Sequence, residues 1–455
     1  MNQYHAQLAA LSPTAITGTV VRSDGATIAV AGFPAPVGAV ARIERASGAM
    51  LEAEVIGFRD ELSIISPYGE VTGVRRGDRV RLAKTSRSIN VGEGLLGRVI
   101  DAHGRAIDGH GEPLLAERRQ LNQAPPRATD RPRISDALST GVRVLDGFLT
   151  SGRGQRLGVF AGSGVGKSVL LGMMARGTAA DVRVIALIGE RGREVNDFIE
   201  RDLGAEALRR SVVVVATSDQ PAVARVQAAQ TATTVAEYFR DQGQNVLLLM
   251  DSLTRFAMAQ REIGLAAGEP PTTRGYPPSV FAWLPRLVER AGRAAVGSIT
   301  AYYTVLVEGD DMNEPVSDTV RGLLDGHIVL SRKLAAHGHY PAIDVLSSIS
   351  RVMPDVTTPQ HQEAARTIRQ LLAVYREHAD LISIGAYQRG ANPLVDLAIE
   401  RKDEIEKMLR QTVGERSSLE ETRKALLLLA SRCVPAASVP RGPGAITTAE
   451  TKVKE

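Results

Sequence analysis

The stretch Ala161–Ser168, AGSGVGKS, decides the fold of this chain. It follows a short apolar run, RLGVF, and leads into SVLLGMMA, which has the pattern of a helix. A glycine-rich loop between a strand and a helix turns its backbone N–H groups inward around phosphate oxygens, and the helix directs its positive end at the anion. The usual pattern is G-x-x-x-x-G-K-[ST], and Ala161 stands here at the first glycine position. The sequence therefore predicts a phosphate-binding loop in an α/β domain.

The polar positions of this loop have predicted tasks in binding a nucleotide. Lys167 would reach the β- and γ-phosphates, and the Ser168 hydroxyl would ligate Mg²⁺. The glycines at alternate positions let the backbone turn around the phosphates. The expected ligands are therefore ATP or ADP and Mg²⁺. The residues predicted to contact the nucleotide in this loop are Gly162, Ser163, Gly164, Val165, Gly166, Lys167, Ser168 and Val169.

Two other apolar runs end in carboxylates that suit the same chemistry. NVLLLMD places Asp251 at the end of a predicted strand, where a carboxylate can orient the metal. Glu190 follows the run VRVIALI, from where it could orient and polarise the attacking water. Glu194, in the same IGERGRE stretch, is the alternative. The spacing favours Glu190 but does not exclude Glu194.

The pattern along the chain predicts several domains. Between about Gly141 and Arg351, continuous Val/Ile/Leu runs alternate with helical stretches, as in a doubly wound α/β domain with a parallel sheet. The first ~85 residues contain short β-segments divided by turn residues, as in a small antiparallel barrel. After Thr358, apolar residues recur at helical spacing. The predicted units are an N-terminal β-barrel (1–88), a P-loop, RecA-like ATPase domain (89–358), a C-terminal α-helical domain (359–435) and a loose tail (436–455).

Individual elements are predicted as follows. Barrel strands are expected at Ile16–Arg22, Thr27–Val30, Ala53–Phe58 and Arg79–Leu82. Strands of the central sheet are expected at Arg156–Phe160, Val182–Ile188, Ser211–Ala216, Asn245–Met250 and Ser298–Val305. Helices are expected at Gln360–Asp380 and Leu397–Ser431. Asn90–Glu117 is a segment rich in Gly and Asp, and Asn122–Pro132 is predicted to be an extended connector.

Composition excludes several other classes of protein. The chain has 455 residues, with 55 basic and 51 acidic side chains for a formal net charge of +4. The basic residues are interspersed with acids, which does not favour a dedicated nucleic-acid binder. The single cysteine, Cys433, excludes an internal disulfide framework. No apolar stretch approaches the ~20 residues that span a bilayer, and the first residues lack a signal-peptide pattern, so a cytoplasmic protein is expected.

Four motifs together resemble the rotary-type ATPases related to the catalytic subunit of F-type ATP synthase. They are AGSGVGKS, IGERGRE, LLLMDSLTRFA and PAIDVLSSIS, and the last fits the family signature P-[SAP]-[LIV]-[DNH]-x-x-x-S-x-S at every position. The resemblance extends over roughly residues 15–430. Within the family, residues 152–176, 273–292 and 307–332 resemble the export ATPases of flagellar and virulence-associated type III secretion systems. The sequence SVLLGMMAR resembles the flagellar enzyme more than the virulence-associated one.

The resemblance implies roles for further residues. Glu190 would activate water, with Arg191 and Glu194 beside it, and Asp251 would hold Mg²⁺ through water. Arg255 would lie close to the γ-phosphate. Arg351 matches the arginine finger that a neighbouring subunit supplies, and Tyr340 matches the aromatic residue that packs on adenine. The implied catalytic residues are Lys167, Glu190, Arg191, Arg255 and Arg351.

The resemblance also implies an assembly and a set of partners. The expected enzyme is a homohexameric ATPase that works at the cytoplasmic face of the inner membrane and energises protein export. The expected partners are a stator-like negative regulator, a coiled-coil central stalk protein, export-gate membrane proteins, and export chaperones with unfolded substrates. The barrel would join the subunits, and the C-terminal helices would face substrates. In the loop Glu308–Pro315, Asp310 and Asp311 are candidates for contact with an axial partner.

Three alternatives stay open from the sequence. The first is the ATPase of a virulence type III system. The second is an ATP synthase catalytic subunit, which expects an acidic C-terminal segment where this chain has Gly385–Asp396. The third is an RNA-dependent hexameric helicase of the termination-factor type, which would need a barrel with exposed aromatic and basic residues. The aromatics of the first 85 residues are few and scattered, so no sequence-specific nucleic acid is expected; they are Tyr4, Phe33, Phe58 and Tyr68.

Two isolated features receive structural interpretations. His337 and His339 are close enough in sequence to suggest a metal pair, but no cluster of carboxylates or thiols accompanies them. Metal binding there is not expected. The single tryptophan, Trp283, is predicted to pack in the fold rather than to contact a ligand.

Overall fold

The computed structural model describes residues 16–307, 309 and 311–433. Its described residues form an N-terminal barrel, a central α/β domain and a C-terminal group of helices, which confirms the predicted fold class. Tyr4, Asp310 and the predicted tail lie outside the described residues. Within the described ranges, no helix has the length and apolarity needed to cross a bilayer.

Six short strands close into the N-terminal barrel in the order β1-β2-β5-β4-β3-β6. Closure follows because β1 pairs antiparallel with both β2 and β6. The sequence prediction missed β3 and β5, because neither alternates strictly between apolar and polar residues; β5 is buried along almost its whole length. The strands are β1 (Thr17–Ser23), β2 (Ile28–Ala31), β3 (Val40–Glu44), β4 (Met50–Arg59), β5 (Leu62–Pro67) and β6 (Arg79–Lys84).

The segment between the barrel and the α/β domain is more ordered than its Gly- and Asp-rich sequence indicates. Strand β8 (Val99–Asp101) pairs parallel with a strand of the central sheet and extends that sheet by one strand. Two further strands, β7 (Ser88–Val91) and β9 (Glu117–Gln120), pair antiparallel. The expected connector 122–132 contains one 3₁₀ turn, Ala128–Asp130, and otherwise no regular structure.

A nine-stranded sheet forms the core of the central domain. Its order is β19-β18-β12-β17-β15-β13-β14-β8, with β16 attached to β17. All pairs are parallel except those of β16 and β19. The five predicted runs are all strands, and each is almost fully buried, as expected for strands covered on both faces. The remaining strands are β10 (Ala137–Leu138), β11 (Ser151–Gly152), β12 (Arg156–Ala161), β13 (Val182–Glu190), β14 (Ser211–Thr217), β15 (Asn245–Asp251), β16 (Gly292–Arg293), β17 (Ser298–Leu306), β18 (Gly326–Leu330) and β19 (Ile349–Ser350).

Helices cover both faces of this sheet. A π-helical turn at Phe198–Leu203 joins two short helices, and single 3₁₀ turns lie at Glu93–Leu95 and Thr273–Gly275. The α-helices of the central domain are α1 (Arg143–Phe148), α2 (Lys167–Gly177), α3 (Gly192–Asp197), α4 (Gly204–Leu208), α5 (Ala222–Asp241), α6 (Leu253–Ala267), α7 (Pro278–Val288), α8 (Pro315–Leu323), α9 (Arg332–Ala336) and α10 (Met353–Val356).

The C-terminal region contains three helices: α11 (Pro359–Ser383), α12 (Pro393–Leu409) and α13 (Leu419–Ser431). The prediction of one continuous helical stretch over 397–431 was wrong, because residues 410–418 form a loop. Ser418 starts α13 with a capping box: its side chain accepts from the Glu421 N–H, and the Glu421 carboxylate accepts from the Ser418 N–H. We call residues 410–418 the interhelix loop.

The C-terminal helices share a core with the central domain. Ile368 of α11 and Leu426 of α13 belong to the same buried cluster as Phe148 and Ile328. His361 reinforces this packing, because its ring nitrogen lies 2.8 Å from the Gly147 carbonyl. The hydrophobic core therefore continues across the predicted boundary at residue 358.

Candidate nucleotide-binding site

The predicted phosphate loop lies at the carboxyl edge of the sheet. Strand β12 ends at Ala161 and α2 begins at Lys167, so the glycine-rich turn is held between a buried strand and a helix N-terminus. Gly164 and Gly166 have positive φ values of 79° and 90°, which residues with a Cβ rarely adopt. The Val165 side chain is buried in the core, so only its backbone faces the loop, whereas Ser163, Ser168 and Val169 are exposed.

Lys167 is held by two carboxylates from neighbouring strands. Its Nζ lies 2.5 Å from Asp251 Oδ1, at the end of β15, and 3.5 Å from Glu190 Oε1, at the end of β13. Burial lowers the pKa of Lys167, but the two carboxylates outweigh this effect and raise it overall. The structure therefore brings together the three charged residues that the sequence had assigned to one site.

Asp251 is buried and receives a second hydrogen bond. Thr304, on β17, donates to Asp251 Oδ1 at 2.8 Å. The sequence prediction missed Thr304, because only the parallel pairing of β15 with β17 brings it beside Asp251. The sequence holds no signal that singles out Thr304, because the same strand also contains Ser298 and Thr300.

Glu190 has a strongly perturbed carboxyl group. Burial, followed by the negative charge of Asp251, raises the pKa of Glu190 to about 7, although Lys167 opposes this shift. Glu194 is exposed, and its carboxylate forms an ion pair at 3.2 Å with Arg191, whose side chain is 81% exposed. A carboxyl that titrates near neutral pH in a cleft is the usual property of a general base.

Arg255 lies next to Glu190 in space. It lies in the first turn of α6, and its side-chain stem packs over Gly189, where a Cβ would approach the Arg255 carbon atoms within 3.1–3.3 Å. Its Nε is buried and makes no hydrogen bond within the described residues. A buried guanidinium N–H without a partner beside a phosphate loop fits an anionic ligand, so this observation supports a phosphate at the site.

Arg351 lies at the other edge of the sheet. Its backbone N–H donates to the Asp325 carbonyl, and Asp325 in turn contacts Arg156 at the start of β12. Its Nη1 lies 3.4 Å from the Leu324 carbonyl. The phosphate loop begins at Ala161, at the far end of β12 and five residues after Arg156, which is roughly 17 Å at the usual strand rise. Arg351 is therefore remote from the phosphate loop of its own chain.

Tyr340 lines a cleft of about 990 Å³ beside the phosphate loop. Its ring lies so close to Gly166 that a Cβ there would be 3.4 Å from Tyr340 Cε1. The opposite wall was not predicted, since it comes from α12 and the interhelix loop. Gln411 fixes the position of this wall by three hydrogen bonds. Its backbone N–H donates to the Tyr340 carbonyl, and its side-chain amide donates to the Gly141 carbonyl and accepts from the Arg143 backbone N–H.

The other residues considered from the sequence lie outside this cluster. His337 Nδ1 lies 2.7 Å from the Lys333 carbonyl, and the buried His339 contacts Arg410. Trp283 packs against the core and lies under the Arg286 guanidinium, as its interpretation as a packing residue predicted. Asp311 forms an ion pair with Arg274 at 3.1 Å.

The sequence matches two family descriptions over adjoining ranges. Residues 141–350 match the ATP synthase alpha/beta family, nucleotide-binding domain, and residues 357–427 match the T3SS EscN ATPase C-terminal domain. The flagellum-specific ATP synthase of Bacillus subtilis is 56% identical over 84% of this chain and 87% of its own length. This chain belongs to the flagellar and type III secretion export ATPases. It is accordingly an ATP-hydrolysing enzyme of the ATP synthase alpha/beta family.

Further relatives of both branches agree with this membership. The flagellum-specific ATP synthase of Treponema pallidum is 51% identical over 94% of this chain and 96% of its own. The type 3 secretion system ATPase of Xanthomonas euvesicatoria is 50% identical over 92% and 95%. These relatives support the flagellar export function and not the helicase alternative.

Solved structures agree with the fold of this export ATPase. The assembled ATPase EscN from the enteropathogenic E. coli type III secretion system superposes with a TM-score of 0.86, at 46% identity over 91% of this chain and all of that chain. The structure of assembled EscN in complex with its central stalk EscO gives a TM-score of 0.84 with the same identity and coverage.

Proposed function

We propose that this export ATPase hydrolyses ATP with Mg²⁺ in a homohexameric ring and energises protein export by a flagellar apparatus. The observation that supports the ring is that the phosphate loop and Arg351, the two halves of the proposed site, lie far apart on one chain. The phosphate loop lies at the carboxyl edge of the sheet, and Arg351 lies beyond the opposite edge, roughly 17 Å away. One type of subunit can therefore supply both halves of every site when neighbours meet across these edges.

The charged cluster suits the proposed reaction. Ser168 and Asp251 would hold Mg²⁺, which neutralises charge that develops on the transferred phosphoryl group. Lys167 would exchange its two carboxylate partners for phosphate oxygens when nucleotide binds. That exchange leaves Glu190 free to accept a proton from the attacking water, and its pKa of about 7 suits this task.

Arg255 and Arg351 would stabilise the charge of the transferred group from two sides. Arg255, whose Nε is buried without a partner in the described residues, would donate to the γ-phosphate from within the same chain. Arg351 would reach the phosphate of the neighbouring subunit. Tyr340 would pack on the adenine in the cleft beside Gly166.

Position and partners follow from the same proposal. EscN has been solved in complex with a central stalk, and its fold matches this chain, which supports a central stalk partner here. The Arg274–Asp311 ion pair joins two loops that are candidates for this contact. We further propose a cytoplasmic enzyme at the inner membrane that meets a stator-like negative regulator, the export gate, and export chaperones with their unfolded substrates.

Mixing two inactive variants tests the shared site. Lys167→Ala and Arg351→Ala should each be inactive alone, because an arginine finger contributes roughly 10³–10⁵ to the rate. A mixed ring contains interfaces that join an intact phosphate loop to an intact Arg351 from the next subunit. Phosphate release should therefore recover in part on mixing.

The control is the same mixture with Arg366→Ala in place of Arg351→Ala, because Arg366 is an exposed arginine that pairs with Glu363 on its own helix. Light scattering shows whether mixed rings form. If they form and the mixture of Lys167→Ala and Arg351→Ala regains no activity, Arg351 does not act on a neighbouring subunit.

A further inference from the structure

A second cavity, on the opposite edge of the sheet from the phosphate loop, is lined almost entirely by arginines. Its volume is about 490 Å³. Among the residues that the structure describes, Glu206 is the one acidic residue in its wall. We call this the arginine cavity. Its lining residues are Arg176, Arg183, Glu206, Ala207, Arg209, Arg210 and Arg416.

These arginines converge from four separate parts of the chain. Arg176 lies in the last turn of α2, Arg183 lies near the start of β13, and Arg209 and Arg210 precede β14. Arg416 comes from the interhelix loop. Convergence of cations from such distant positions is not the result of one charged run, which would be a solvated surface.

None of the five arginines forms an ion pair with a carboxylate in the part of the chain that the structure describes. By contrast, most other arginines of the described chain are paired, for example Arg156 with Asp325 and Arg290 with Glu237. Like charges in one cavity repel each other, and this repulsion adds to burial in lowering the pKa values of two of them. Burial, followed by Arg210 and Arg416, lowers the pKa of Arg183; burial and Arg416 lower that of Arg176, against Asp202.

Arg183 gives the cavity a fixed floor. It is only 8% exposed, its Nε donates to the Ala175 carbonyl at 2.5 Å, and its Nη2 donates to the Thr178 carbonyl at 2.9 Å. Neither bond uses Nη1. Arg209, Arg210 and Arg416 are exposed at the rim and make no side-chain hydrogen bond within the described residues. A fixed, buried guanidinium with several long, exposed arginine side chains above it suits a multivalent anion.

We propose that the arginine cavity binds a small anion carrying several phosphate groups. Arginine forks match phosphate oxygens in pairs, and a concave site of this size encloses a compact anion better than an extended acidic peptide. The phosphates could belong to a free molecule or to a lipid headgroup, which present the same chemistry. This site is separate from the one that hydrolyses ATP.

The interhelix loop connects this cavity to the nucleotide cleft. Arg176 donates to the Val413 carbonyl at 3.0 Å, and Val413 lines the cleft that contains Tyr340. Arg416 lies three residues further along the same loop. An anion that bridges Arg176 and Arg416 removes their repulsion and holds the loop in the observed position, which stabilises one wall of the nucleotide cleft.

Binding of tripolyphosphate to the full-length chain tests the proposal. A Lys167→Ala background prevents competition from the phosphate loop, and calorimetry then reports the remaining site. Adding Arg210→Ala and Arg416→Ala should weaken binding by at least about tenfold, because each removes a charge-assisted contact. These two side chains are exposed, whereas Arg183 supports the fold and is left intact. The matched control is Arg366→Ala with Lys424→Ala, which removes two exposed charges elsewhere and should leave the affinity unchanged.

The alternative outcomes are distinct. Absence of a tripolyphosphate site in the Lys167→Ala background, or equal loss in the control pair, would overturn the proposal. Tighter competition by polyglutamate than by tripolyphosphate would also overturn it in favour of an acidic peptide. Vesicles of phosphatidylglycerol distinguish a lipid headgroup from a free anion as the source of the phosphates. If the variant with Arg210→Ala and Arg416→Ala, called the cavity variant, loses vesicle binding together with tripolyphosphate binding, the ligand is a lipid headgroup. If it loses tripolyphosphate binding but keeps vesicle binding, the ligand is a free anion.

Hydrogen exchange tests the connection without measuring activity. In the Lys167→Ala protein, tripolyphosphate should slow amide exchange in residues 410–418 by severalfold, and the cavity variant should lose this protection. Protection that persists in the cavity variant would contradict a role for Arg416. Because both measurements use a variant that is not expected to hydrolyse ATP, failure of the arginine cavity is distinguishable from failure of the proposed ring mechanism.

Discussion

Strand β13 has a charged residue near each end, and the charges that surround these two residues have opposite signs. Near its start, Arg183 is buried against backbone carbonyls, and burial and two neighbouring arginines lower its pKa. At its end, Glu190 and Asp251 surround Lys167, whose pKa the carboxylates raise against the effect of burial. One end therefore has a surplus of cations, and the other has two carboxylates for one lysine.

This difference indicates what each end can bind. Two carboxylates around one ammonium group leave negative charge that suits a divalent cation, and the lysine can turn to the phosphates that arrive with it. None of the five arginines is ion-paired with a carboxylate in the described chain, so they suit an anion without a metal. Position along one strand thus separates the proposed metal–nucleotide site from the proposed anion site.

Removal of Lys167 should have the largest effect on the carboxylate-rich end. Lys167→Ala should lower the rate of ATP hydrolysis by roughly 10³-fold or more, because phosphoryl transfer depends on positioning and charge stabilisation. Steady-state phosphate release measures this. Lys424→Ala, an exposed lysine on α13, is the control and should stay close to the wild-type rate. Turnover within tenfold of wild type in Lys167→Ala would contradict the assignment of the phosphate loop.

Substitution of Glu190 should separate binding from chemistry at the same end. Glu190→Gln should retain nucleotide affinity and lose roughly 10²–10⁴-fold in kcat, because an amide cannot accept the proton of the attacking water. The neighbouring exposed Glu194→Gln is the comparison and should change kcat far less. A larger loss in Glu194→Gln would show that the wrong carboxylate has been assigned.

The raised pKa of Glu190 predicts a pH dependence. The base must be deprotonated, so kcat/KM, which reports the free enzyme, should fall about tenfold per pH unit below about pH 7 and level off above it. The residual activity of Glu190→Gln should lack this acidic limb. An acidic limb of the same midpoint in Glu190→Gln would mean that another group titrates.

Tyr340 should show the smallest effect, since its proposed contact is with the base and not with the reacting phosphate. Tyr340→Ala should weaken ADP binding about threefold to tenfold, the range expected for loss of an aromatic stacking contact, with a smaller change in kcat. Fluorescence titration with ADP measures the affinity. Leu428→Ala, an exposed apolar residue on α13, should leave it unchanged. Equal affinities for ADP in wild type and Tyr340→Ala would remove Tyr340 from the site.

Local patterns predicted much of this protein from its sequence. The buried parallel strands were visible as continuous apolar runs, because strands covered on both faces have no polar side to interrupt them. Lys167 could be assigned from the phosphate-loop motif that follows such a run. Glu190 and Asp251 could be placed beside it because each lies at the end of such a run, and the carboxyl ends of parallel strands meet at one edge. The short barrel strands β3 and β5 were missed, since their burial is decided by neighbours in the closed barrel.

Tertiary structure alone decided the features that depend on distant segments. Thr304 reaches Asp251 only through strand pairing, and Gln411 forms a wall of the nucleotide cleft only because the interhelix loop folds back on the central domain. The arginine cavity is likewise invisible in the sequence, where its members are separated by up to 240 positions (416 − 176). Periodicity reports contacts within one element, and it carries no information about which remote charges the folded chain brings together.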